Sequence, residues 1–185
     1  MNGSLPPDAD VGKYVVTLQH GSDAEAAAAI AAWPVHVTDD VTDDVKTMLL
    51  YYTQFALRRS PLSAKVLHAL IQAGYTPTQL LWEAAYGCCE LPTFQALLPV
   101  DTFGAAVNCG SVSAYRGKES ILHRILNRFE TEQGADLVEL LVRHGAPIDA
   151  KNASGETVLD NVRTYYHGKG IIHPRVHALL AGAAP

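Results

Sequence analysis

What this chain has little of narrows its class first. Cysteine is scarce: three among 185 residues, Cys88, Cys89 and Cys109. The adjacent pair would close a strained ring and an odd count leaves at least one thiol free, so a disulfide-stapled secreted domain is not expected. Buried, apolar cysteine in a reducing compartment is the expectation. No run of uncharged apolar residues approaches the roughly 18 that cross a bilayer, and "MNGSLPPDADVGK" has no basic segment leading into an apolar one. These absences point to a soluble, cytoplasmic protein with no membrane partner. Basic charge is also short, with 14 Lys and Arg against 19 Asp and Glu for a net charge of -5. That balance disfavours general affinity for nucleic acid. The deficit sits in residues 1–115, with 11 acids and 5 bases, whereas residues 116–185 carry 8 and 9. Its peak, Asp39, Asp40, Asp43 and Asp44, reads as a solvated turn and helix start.

Signatures of catalysis are missing as well. There is no Gly-x-Ser-x-Gly, no CxxC, and "GKG" at 168–170 lacks the long loop and Lys-Ser/Thr ending of a phosphate cradle. The best candidate for chemistry is "HGKGIIHPRVH", with His167, His173 and His177. His173 and His177 are four apart, a spacing that puts both imidazoles on one helix face where zinc could use them. That geometry requires a helix beginning at or before His173, and no Glu lies between the two to serve as a base. Neither a cofactor nor a metal is expected.

What is present is repetition. Four segments end alike, with two adjacent aliphatics just before a break: "VLHALIQAG" (66–74), "FQALLPV" (94–100), "LVELLVRHG" (137–145) and "RVHALLAG" (175–182). Helix beginnings alternate with them: "TMLLYYTQFAL" (47–57), "QLLWEAAYG" (79–87), "SILHRIL" (120–126) and "TVLDNVR" (157–163). Leu49, Leu81, Leu122 and Leu159 then recur about every 33 residues once insertions are allowed. Two short helices per unit cannot bury their apolar faces alone, so the units must stack into a solenoid. On this register Trp82, His123 and Asp160 fall at matching positions, and Leu122, Ile125, Leu137, Leu140 and Leu141 supply the core between units. "KYVVTLQH" (13–20) is β-branched and weakly alternating, which suggests a strand or extended arm. "DAEAAAAIAAW" (23–33) is a strong helix former suited to capping the stack with a polar outer face.

"GAPIDAKNASGETVLDNV" (145–162) resembles the junction between two ankyrin repeats, with Gly145, Ala146, Ile148, Ala150, Gly155, Thr157 and Leu159 in order. "ESILHRIL" is similar to the Thr-Pro-Leu-His repeat start through Ser120, Leu122 and His123, with Ile121 in place of proline. The similarity is specific over 117–162, weaker over 157–185 and poor over 22–105. It implies an all-α ankyrin-type solenoid of stacked helix-turn-helix repeats. The expected organisation is an N-terminal arm at 1–21 and units near 22–42, 43–77, 78–114, 115–151 and 152–185. Physically, Gly145 suits a left-handed helix end, and Thr157 and Ser120 can cap the helices that follow. The resemblance implies that His123 hydrogen-bonds the neighbouring turn rather than catalysing.

The same resemblance implies a non-catalytic protein-interaction scaffold that binds through turn tips and the face formed by the first helices. Matching positions nominate Thr78, Glu83 and Tyr86; Tyr115, Arg116, Lys118, Arg124 and Arg128; and Lys151, Asn152, Ser154 and Asn161. Arg and Tyr are frequent interface anchors, and the cluster Arg116, Lys118, Arg124 and Arg128 predicts an acidic patch on a protein partner. The long connections 99–118 and 127–136 are further places where binding residues could gather. Two alternatives stay open: a dedicated inhibitor or immunity-type protein, and a small metal-dependent hydrolase using the C-terminal histidines.

Overall fold

The computed structural model describes residues 10–33, 43–59, 61–87, 89–100, 119–165 and 172–182. Among them are ten α-helices and no strand: α1 (Val11–His20), α2 (Asp23–Ala32), α3 (Asp43–Leu57), α4 (Ala64–Gln72), α5 (Pro77–Tyr86), α6 (Leu91–Leu97), α7 (Ile121–Arg124), α8 (Glu132–Arg143), α9 (Val158–Tyr165) and α10 (Pro174–Leu180). Single 3₁₀ turns follow α6 and α7. The described part of the chain is therefore all-helical. It divides into two compact units, Met1–Val100 and Asp101–Pro185.

Residues 13–20 are helical, against the expectation of a strand or arm. Asp10 starts α1 by accepting from the Lys13 N–H at 2.9 Å. Spacing then outweighs β-branched propensity. Tyr14 and Leu18 share a face, Leu18 is buried, and the Tyr14 ring stacks on Trp33 at 3.9 Å and 29°. In the first unit α1 packs on α2, α2 on α4, and α3 on both α1 and α5. The helices α1, α3 and α5 thus form one layer, and α2 and α4 a second. The second unit repeats the rule, with α7 on α9 and α8 on α10.

Each junction is closed by local chemistry. Tyr75 and Ala146 donate N–H bonds to Leu70 and Leu141 carbonyls, with Gly74 and Gly145 between at φ of 95° and 89°. This paired helix ending needs a left-handed residue, which is why glycine stands there in both units. Thr76 with Gln79, Ser120 with His123 and Thr157 with Asp160 form reciprocal caps at the starts of α5, α7 and α9. The core follows the expected stripe with one exception. Leu122, Ile125, Leu137 and Leu141 are fully buried, whereas Leu140 is half-buried at the edge of the α8 stripe that Leu137, Val138 and Leu141 define. Cys89 is buried, while Cys88 and Cys109 lie outside the described residues.

Candidate interaction surface

The best-ordered candidate is the turn that joins α8 to α9. Lys151 and Thr157 pair as an isolated antiparallel bridge, which carries Ala153 and Ser154 out to an exposed tip. Asn152 holds the turn together. Its Oδ1 accepts from the Ser154 and Glu156 N–H groups at 2.9 and 3.0 Å, and its Nδ2 donates to the Glu156 carboxylate at 3.3 Å. Asn161 Nδ2 donates to the same carboxylate oxygen at 2.9 Å. Asn152 and Asn161, nominated as contact residues, are therefore engaged inside the turn. Lys151 and Ser154 are exposed. The reason is local: an Asn side chain reaches its own backbone two residues on more readily than it reaches solvent.

His123 ties this turn to the preceding helix start. Its Nδ1 lies 2.8 Å from Ser120 Oγ and accepts from the Ser120 N–H at 3.3 Å. Its Nε2 lies 3.2 Å from the Glu156 carbonyl oxygen. A backbone N–H can only donate and a carbonyl can only accept, so the proton sits on Nε2 and the ring is neutral. At 6% exposure both nitrogens are committed to structure. The caps also offer a second way to align the helix starts. Measured from Thr76, Ser120 and Thr157, the residues equivalent to His123 are Gln79 and Asp160. The leucine alignment instead matches Trp82 to His123, because leucines recur every three or four residues along a helix while a cap occurs once.

The basic nominees divide. Tyr115, Arg116 and Lys118 lie outside the described residues. Arg124 and Arg128 are half-buried, and an Arg124 guanidinium nitrogen sits 3.9 Å from the Glu119 carboxylate. Glu83 is a correction: at 4% exposure it is inside the first unit, where Gln54 Nε2 donates to its carboxylate at 2.8 Å. Thr78 is half-buried and Tyr86 is 41% exposed.

Two arrangements escaped the sequence reading, which nominated Tyr86 but none of its exposed neighbours in the layer. Among the described residues the exposed large apolar side chains are Val16, Tyr51 and Tyr86, all on the layer formed by α1, α3 and α5. Tyr51, Phe55 and Arg58 follow one another at helical spacing, a signal available in "TMLLYYTQFALRR", and Arg58 Nε donates to the Gly87 carbonyl at 3.2 Å. The second is an ionic clasp in the other unit. Arg175, on α10, is held by Glu132, Asp136 and Glu139, which line one face of α8. These carboxylates, Glu139 most strongly, raise the guanidinium pKa above its ordinary value.

The C-terminal histidines do not meet on a helix face. His173 is the residue before α10, its backbone N–H donates to Phe129 O at 2.8 Å, and its Nε2 lies 2.7 Å from Glu132. His177 is exposed one turn into α10, and His167 is outside the described residues. Among the described residues no three His, Cys, Asp or Glu converge as metal ligands, and no helix is long and apolar enough to cross a membrane. No family model matches the chain, and no curated protein matches it.

Proposed function

We propose that the chain is a non-catalytic protein-interaction module built from ankyrin-type repeats, which binds a protein partner through its turn tips and the layer of first helices. The observation that carries this reading is the His123 bridge from Ser120 to the Glu156 carbonyl. A histidine that joins one helix start to the next turn is what a stacked repeat requires, and it leaves no free nitrogen for proton transfer. The layered packing of α1, α3 and α5, and of α7 on α9, supports the same architecture. The exposed Tyr51 and Tyr86 on the first-helix layer support its use as a contact face, since tyrosine offers large area with a polar tip.

At the tip, Lys151 and Ser154 carry the contact while Asn152 maintains the turn. Tyr115, Arg116 and Lys118 enter on sequence alone, and with Arg124 and Arg128 they make an acidic patch the complement on the partner. Affinity capture from the native lysate with mass-spectrometric identification tests this. A partner enriched by the wild-type chain should be lost with a Lys151→Glu, Ser154→Glu double variant whose thermal unfolding is unchanged. Enrichment of the same proteins by wild type and variant, or of none, would sink the tip as a binding site.

A further inference from the structure

The α1–α2 hairpin carries an open cleft of about 600 Å³, lined by Lys13, Val16, Thr17 and His20 from α1, by Gly21 of the turn, and by Glu25, Ala28 and Ala29 from α2. Among the described residues none of α3 or α4 lines it, so it lies on a side of the hairpin away from both. The two contributing faces run at helical spacing, which makes the cleft a groove between two helices. A polar outer face is the expectation for the end of a helical stack. Here Val16, 57% exposed, lines the groove together with the small side chains Ala28 and Ala29.

The charges on this groove complement themselves. Lys13 lies near the start of α1, away from the connecting turn, while Glu25 lies near the start of α2, beside that turn. The two helices are joined by a short turn and pack together, so Lys13 and Glu25 stand at opposite ends of the groove. A two-fold axis through the centre exchanges the ends. It sets Val16 against the partner's alanine floor, and it brings Lys13 of each copy over Glu25 of the other. An isologous interface needs such self-complementarity. Glu25 keeps its carboxylate charged, because hydrogen bonds from the Ser22 side chain and backbone lower its pKa.

We propose that this groove is the contact between two copies of the chain, a homodimer through α1 and α2. The proposal rests on the first unit alone, and the tip residues in the second unit play no part in it. Light scattering and sedimentation velocity on the full chain over a concentration series test it. The expected result is a mass that rises from the 19.9 kDa of one chain to twice that value. Val16→Glu should return the protein to a monomer with an unchanged circular-dichroism spectrum and melting temperature, since the side chain is already exposed. Lys13→Glu should raise the dimer Kd by at least about tenfold by placing like charges together. Adding Glu25→Gln to Lys13→Glu should recover part of the loss while keeping the α2 cap, which an amide oxygen can also make. A mass of one chain at every concentration overturns the proposal, and so does a dimer that Val16→Glu leaves intact.

Discussion

The Nε2 of His123 lies 3.2 Å from the carbonyl oxygen of Glu156, in the turn that follows the next helix, while its Nδ1 faces Ser120 Oγ at 2.8 Å. One neutral imidazole thus caps α7 and anchors the tip from which Lys151 and Ser154 project. His123→Ala takes the Nδ1 acceptor from the buried Ser120 hydroxyl and leaves the Glu156 carbonyl with the Asn152 N–H alone, so it should cost about 1–3 kcal/mol in denaturant unfolding. His123→Gln should cost less, because it preserves the cap in the manner of Gln79 and loses chiefly the bridge. An unaltered unfolding midpoint in the alanine variant would contradict the anchoring role.

Gly134 and Gly155 should respond to alanine for different reasons. A Cβ on Gly134, in the first turn of α8, would stand 1.7 Å from the Arg128 carbonyl oxygen, so backbone must move. Gly155 has φ of +79° and nothing within 4 Å of a Cβ, so only conformational strain opposes substitution. Gly134→Ala is expected to destabilise by about 3 kcal/mol or more, and Gly155→Ala by about 1–2 kcal/mol. Urea titrations of the two variants compare them directly, and equal losses would refute the close-approach argument.

Acid should act on the Thr157 cap. Hydrogen bonds from the Thr157 side chain and then its backbone hold the Asp160 pKa below the ordinary 3.8. A lowered folded-state pKa contributes stability above the unfolded value and loses it as pH falls through the folded one. Wild type should therefore lose stability more steeply than Asp160→Asn as the pH drops below 3.8. Parallel pH profiles of the melting temperature would remove Asp160 as a contributor.

Arg175 and its three carboxylates should decide how firmly α10 is held. Arg175→Gln should speed amide exchange in Val176–Leu180 while leaving Leu137–Leu141 protected, and added salt should do the same to the wild type to a smaller degree. Exchange in α10 unaffected by the variant would mean that Val176 and Leu180, both buried, suffice on their own.

Features written over a few neighbouring residues could be read without a structure. Gly145 as a left-handed helix end, Ser120 and Thr157 as caps, and the buried Leu122, Leu137 and Leu141 each follow from helix geometry and a partner three to five residues away. The bond from His123 to the following turn was accessible only through resemblance, because no local rule reaches that far along the chain. Glu83 was misplaced by the same limit. Polarity marks a side chain as able to face solvent, and it says nothing of a Gln54 amide on another helix.

The sequence by itself determined the helical class of most of the described residues, several of their helix ends and most of the buried stripe, because these depend on short-range hydrogen bonding and a fixed rotation per residue. Tertiary structure decided the rest. It made 13–20 a helix, since Leu18 and Tyr14 gain more from burial and stacking than their β-branched neighbours lose. It also gathered Glu132, Asp136 and Glu139 around an arginine that the chain supplies only after another hairpin turn, because opposite charges find each other across packed helices and not along the sequence.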